Sequence, residues 1–81
     1  MNKTVRVRYF AILREQRGLD EETLETGAST AGELYEELRA RHRFTLPADR
    51  LRVAINDDFE PWATEVRDGD ALVFLPPVAG G

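Results

Sequence analysis

The chain opens on an alternation. Val5, Val7 and Tyr9 are apolar and Arg6 and Arg8 between them are charged, the period of two that a strand with one buried face requires. At Phe10 the pattern breaks, and Phe10-Ala11-Ile12-Leu13-Arg14-Glu15 reads as a turn or a short helix closed by Gly18. Thr23-Leu24-Glu25 predicts a second strand ending at Thr26-Gly27, close enough in sequence to pair with the first as a long-looped hairpin. The clearest element follows. Thr30 and Glu33 stand at the capping-box spacing, in which each side chain satisfies a backbone N–H at a helix start. Ala31, Leu34, Tyr35 and Leu38 then recur on one helical face, with Glu33, Glu36, Glu37, Arg39 and Arg41 around the rest. Acidic residues crowd the start of this helix and Arg41-His42-Arg43 its end, which suits the helix dipole.

Pro47 marks a loop. Leu51, Val53 and Ile55 alternate with Arg52 and Ala54 and predict a third strand, followed by a turn at Asn56-Asp57-Asp58. Phe59 to Val66 carries no regular period, with Pro61 and Trp62 inside it, and Asp68-Gly69-Asp70 is a strong turn signal. Ala71-Leu72-Val73-Phe74-Leu75 is apolar at every position, as in a strand at the centre of a sheet. Pro76-Pro77 stops it, because proline cannot donate to a ladder. The order strand, strand, helix, strand, irregular segment, strand gives an α+β roll: a mixed sheet packed on one main helix, as in ubiquitin-like folds. One helix covers one face only. Phe10 shares a side with Arg6 and Arg8, and so does one side of the last strand, so apolar surface stays exposed on the open face as a partner site.

Composition narrows the chemistry. At 81 residues there is room for one domain and no deep pocket of its own. Eleven basic against fifteen acidic residues give a net charge of −4, spread over both halves, without the clustered cations that nucleic-acid binding needs. There is no cysteine, hence no disulfide, thiolate metal site or thiol nucleophile. His42 and Ser29 are each the single residue of their type, and nothing near them suggests a catalytic pair. Asp57, Asp58 and Glu60 fit no calcium-loop spacing, so they read as a solvated turn and no metal is expected. The longest uncharged run, Ala71 to Gly81, is too short and too interrupted to span a bilayer, and Lys3, Arg6 and Arg8 stand where a signal peptide is apolar. The expectation is a cytoplasmic protein bound to neither membrane nor nucleic acid.

The ending is the unusual part. Two of the four prolines and two of the six glycines fall in the last six residues, Pro76-Pro77-Val78-Ala79-Gly80-Gly81. This divides the chain into a domain, 1–75, and a tail, 76–81. Prolines stiffen the root and Gly80-Gly81 makes a thin, flexible tip that reaches about 20 Å when extended. Such an arm can carry an α-carboxylate through a narrow channel into another protein. A frayed chain end is the other reading.

Val5 to Glu15, Asp68-Gly69-Asp70 and above all Phe74-Leu75-Pro76-Pro77-Val78-Ala79-Gly80-Gly81 resemble the small subunit of molybdopterin synthase, the MoaD family of sulfur carriers. The resemblance covers nearly the whole chain. It implies a β-grasp fold and a carrier role. A ubiquitin-activator-like adenylyltransferase would use ATP to turn the terminal carboxylate into a transient acyl-adenylate. A sulfur donor would then leave a thiocarboxylate on Gly81. The large subunit, in a heterotetramer, would take the tail into its active site and pass the sulfur to cyclic pyranopterin monophosphate to form the dithiolene. By the same resemblance Gly81 is the carrier, Gly80 gives it passage, Pro76, Pro77, Val78 and Ala79 line the arm, and Phe10, Phe59 and Leu75 dock partners. Core packing competes with docking for each of these three; the surface role fits Phe10 best and Phe59 least. Catalysis would lie on the large subunit, and the chain would bind no cofactor of its own.

Three other readings share parts of this pattern. A ThiS-type carrier of thiamine biosynthesis has the roll and a Gly-Gly end, but the Phe59–Val66 region and the Pro-Pro-Val-Ala arm argue against it. A ubiquitin-like modifier would use the same activated terminus to form lysine isopeptides. A plain interaction module would have an incidental tail.

Overall fold

The computed structural model describes residues 2–76. The chain runs β1 (Lys3–Tyr9), α1 (Ala11–Arg17), β2 (Glu21–Thr26), α2 (Ala31–His42), a 3-10 turn (Ala48–Arg50), β3 (Arg52–Ile55), β4 (Asp58–Glu60) and β5 (Ala71–Leu75). Five strands form one mixed sheet in the order β2-β1-β5-β3-β4. β1 and β5 run parallel, with Val7 level with Leu72 and Tyr9 with Phe74, and every other neighbouring pair is antiparallel. This is the β-grasp roll, with the all-apolar β5 at its centre. The segment after Tyr9 is a helix, and the second strand begins at Glu21, two residues before Thr23. The stretch from Phe59 is not irregular throughout. Asn56 and Asp57 both take positive φ, 52° and 75°, as a two-residue hairpin turn requires, so Asp58 belongs to β4 and Phe59 pairs with Ala54.

One face of the sheet packs on α2. Val5, Val7 and Tyr9 of β1, Leu72 and Phe74 of β5 and Val53 and Ile55 of β3 share a core with Ala31, Leu34, Tyr35 and Leu38 of α2. Burying a side chain of this size stabilises the fold by about 1.5–3 kcal/mol. Tyr35 is at the centre of the aromatic packing: its ring stacks on Phe44 at 6.1 Å and meets Phe74 edge-on at 5.2 Å. Its hydroxyl donates to the Leu46 carbonyl at 2.6 Å, so the burial leaves no orphaned oxygen.

The start of α2 shows how the irregular segment is held. Thr30 Oγ1 accepts from the Glu33 N–H at 3.1 Å, while the Glu33 carboxylate reaches one residue further back than a standard capping box, to the Ser29 N–H at 3.0 Å. Two more unpaired N–H groups of the first turn, on Ala31 and Gly32, donate to the carbonyls of Thr64 and Trp62. A Cβ at Gly32 would come 3.4 Å from the Trp62 oxygen, so this close approach suits glycine. Trp62 in turn stacks on Phe74 at 5.9 Å. The Asp68-Gly69-Asp70 turn then sets β5 beside β1. Asp68 accepts from the Thr4 N–H at 2.7 Å, and Gly69, at φ 89°, donates to the Thr4 carbonyl.

Candidate functional site

β5 delivers the chain end. Leu72 and Phe74 point into the core, so Ala71, Val73 and Leu75 point to the other face of the sheet, where they are half-buried. Among the described residues no helix of α2's length lies over that face. Register places its neighbours. Val73 lies level with Arg8 of β1 and Ala54 of β3, and Ala54 in turn with Phe59 of β4. Leu75 is level with Arg52.

Phe10 keeps an extended backbone (φ −128°, ψ 153°), so the alternation of β1 carries one residue past the strand and turns its ring away from the core. Tyr9 pairs with Phe74, and Phe10 and Leu75 each follow one position on, at the same end of adjacent strands. Phe10 is half-buried, and the Arg8 guanidinium lies 5.3 Å from its ring centroid. Phe59 is the most exposed large hydrophobic among the described residues, at 55%. The order inferred from sequence is therefore corrected: Phe59 is the more open of the two phenylalanines. Its place follows from the register of β4, a short edge strand whose far side carries no partner strand among the described residues.

Phe59, Leu75 and Pro76 line a groove of about 450 Å³ with Leu51, Arg50 and Arg52. The Arg52 guanidinium lies over the Phe59 ring at 3.9 Å. Thus an apolar groove flanked by arginines sits where the tail leaves the sheet. Sequence reasoning missed Arg8 and Arg52. The Arg8–Phe10 pair was recoverable, since residues two apart on a strand share a face. The Arg52–Phe59 pair needed the β3–β4 register, and hence a two-residue turn at Asn56-Asp57. Pro77, Val78, Ala79, Gly80 and Gly81 lie outside the described residues.

The domain offers little chemistry of its own. Ser29 and His42 flank opposite ends of α2, whose twelve residues separate them by about 18 Å. His42 lies against Phe44, at 5.7 Å between ring centroids. Among the described residues, no group of His, Asp or Glu side chains is arranged to hold a metal ion, and no helix is long and apolar enough to cross a membrane.

The comparisons with known proteins run the length of the chain. A sequence model of the ThiS family matches residues 7–81. Over 78 residues the chain is 37% identical to the molybdopterin synthase sulfur carrier subunit of Haemophilus influenzae, covering 93% of this chain and 96% of that one. Its fold is similar to the putative molybdopterin converting factor subunit 1 of Pyrococcus furiosus, with a TM-score of 0.78 and 32% identity, over 94% of this chain and 99% of that one. It is similar also to a chain in the complex of subunits 1 and 2 of the molybdopterin-converting factor of Helicobacter pylori, with a TM-score of 0.64 and 29% identity, over 96% and 99% of the two chains. The exposed face, the tail root beside it and this full-length similarity agree: the chain belongs to the ThiS family, among its molybdopterin synthase sulfur carrier subunits.

Proposed function

We propose that this chain carries sulfur on Gly81 for a molybdopterin synthase. The observation that supports the reading is a family match that extends through the last residue, so the similarity includes the Gly-Gly end and not the fold alone. Without a cysteine, the chain end is the natural place for carried sulfur.

The chemistry follows from the carboxylate. It is a poor electrophile. On an activating enzyme its oxygen attacks the α-phosphorus of ATP, pyrophosphate leaves, and the acyl-adenylate gains a good leaving group. A sulfide-level donor then attacks the acyl carbon and AMP departs, which leaves a thiocarboxylate. That group is ionised at neutral pH and nucleophilic. In the large subunit its sulfur attacks a side-chain carbon of cyclic pyranopterin monophosphate, and the carbon–oxygen bond there breaks, its oxygen departing with the phosphate or as water. Water then cleaves the acyl–sulfur bond, which restores the Gly81 carboxylate and leaves sulfur on the pterin. Two rounds supply the dithiolene. ATP belongs to the activating enzyme, and this chain holds no cofactor of its own.

In this reading Pro76, Pro77, Val78, Ala79 and Gly80 form the arm, and Phe10, Phe59 and Leu75 dock the large subunit. The pairing of subunits 1 and 2 in the Helicobacter complex supports that partner. The test is the intact mass of the protein purified from its own host. The expected result is a fraction heavier by one oxygen-to-sulfur exchange at Gly81. Only free carboxylate, or only lysine adducts, would overturn the reading, the latter in favour of a protein modifier. One residue added after Gly81 should abolish loading with an unchanged melting curve.

A further inference from the structure

Among the described residues, five of the ten arginines have carboxylate partners: Arg6 with Glu21, Arg14 with Asp20, Arg17 with Glu22, Arg39 with Glu36 and Arg67 with Glu65. Arg8 and Arg52 are exposed, and neither is ion-paired among the described residues. Arg8 is level with Glu21, yet that carboxylate turns to Arg6 at 3.7 Å. Both guanidiniums instead rest on aromatic rings, Arg8 on Phe10 and Arg52 on Phe59. They flank the strand end that leads to Pro76. Arg8 and Arg52 lie two strands and two residues apart, which puts their Cα atoms roughly 12 Å from each other. Arg50 and Asp49 also line the groove, and among the described residues Arg50 rests on no aromatic ring.

We infer that Arg8 and Arg52 are a pair of carboxylate receptors, and that the large subunit presents two acidic side chains to them on either side of the apolar contact at Leu75 and Phe59. The inference rests on the carrier reading, which supplies the partner; charge complementarity supplies the chemistry. An aromatic ring holds each guanidinium over the face, so less side-chain entropy is lost when it binds. On a chain of net charge −4, two fixed cations at the end of β5 set the register in which an acidic surface approaches. Two isolated cations are too few for a nucleic-acid footprint.

Calorimetric titration of the same organism's large subunit with parent protein, R8Q/R52Q and R8E/R52E, at low and high salt, tests the pairing. The Gln pair should bind severalfold more weakly and the Glu pair at least about tenfold more weakly. The parent should weaken with salt while the Gln pair changes little. Unchanged melting curves and unchanged sulfur loading would show that the fold and terminus are intact. A Glu pair that binds as tightly as the parent, or a salt response shared by parent and Gln pair, overturns the inference and leaves the carrier reading standing. A parent protein that carries no sulfur and binds no large subunit overturns both.

Discussion

Arg17 grips Glu22 through two parallel hydrogen bonds, Nε to Oε2 at 2.9 Å and Nη2 to Oε1 at 2.8 Å. The Tyr9 hydroxyl donates to Oε2 as well, at 2.6 Å. One carboxylate thereby ties α1, β1 and β2 together. The Glu22 side chain is only 17% exposed, so solvent screens the pair weakly. Hydrogen bonding by Arg17, helped by Tyr9 and only partly opposed by burial, holds the Glu22 carboxyl down from its ordinary 4.5 to about 2.

Acid should therefore loosen the fold in a defined window. A carboxyl depressed on folding adds stability that is complete above its unfolded value and is lost as pH falls through its folded one. For Glu22 the window runs from pH 4.5 down to about 2, and the contribution is about 3 kcal/mol. His42 acts in the same direction from pH 6.5 downward, because burial, and then the nearby Arg17 charge, disfavour its protonated form in the fold. Urea denaturation at a series of pH values should show stability falling below pH 6.5 and more steeply below 4.5. The steep part should disappear in Glu22→Gln. If that variant loses stability with the parent's slope, Glu22 is not the responsible group.

Alkali acts through two tyrosines. Burial, and then the bond to Glu22, push the Tyr9 phenol well above its ordinary 10.0; burial also raises Tyr35. Groups raised on folding stabilise below their unfolded value, so stability should decline as pH passes 10. Tyr9→Phe should flatten that decline, read by the same denaturation series.

Besides the Asn56-Asp57 turn, two non-glycine residues at helix ends carry left-handed backbone where glycine would be unstrained. Arg43 closes α2 at φ 58°, its N–H bonded to the Arg39 carbonyl, and Ala11 opens α1 at φ 53°. Both are exposed. Arg43→Gly and Ala11→Gly should each raise stability by about 0.5–1 kcal/mol, a few degrees in melting temperature for a domain of this size. Gly18→Ala is the converse: at φ 83° with open space around it, it should cost about 1 kcal/mol from backbone strain alone. Calorimetric melts of the three variants check the sign of each.

These positions also mark where sequence was legible. α2 could be read from Thr30, Glu33 and its apolar face because capping and periodicity are local. The central place of β5 followed from Ala71–Leu75 being apolar on both faces. β4 could not be read: three residues with no alternation become a strand only because Asn56-Asp57 turns the chain back on β3. Nor could the exposure of Phe59, since a phenylalanine beside a strand is ordinarily core; only the edge position of β4 leaves it open. The irregular stretch around Trp62 and Thr64 supplies acceptors to the start of α2, a long-range role that no local pattern announces.

Three phenylalanines in or next to the sheet should separate binding from folding. Phe74 is fully buried between Tyr35 and Trp62, Phe10 half-buried, Phe59 55% exposed. Phe74→Ala removes core volume and should cost about 3–5 kcal/mol of folding stability. Phe59→Ala loses one exposed ring and its contact with Arg52, which together should stay within about 1 kcal/mol. If the groove at Leu75 and Pro76 is where the large subunit docks, the same change should weaken binding by about 2 kcal/mol or more, roughly thirtyfold. Phe10→Ala should fall between, with a larger stability loss than Phe59→Ala because more of its ring is covered. Melting curves and titration of the large subunit give both quantities for each variant. A Phe59→Ala protein that binds as tightly as the parent would move the docking surface off β4 and back toward Phe10. One that melts as low as Phe74→Ala would show the ring to be structural.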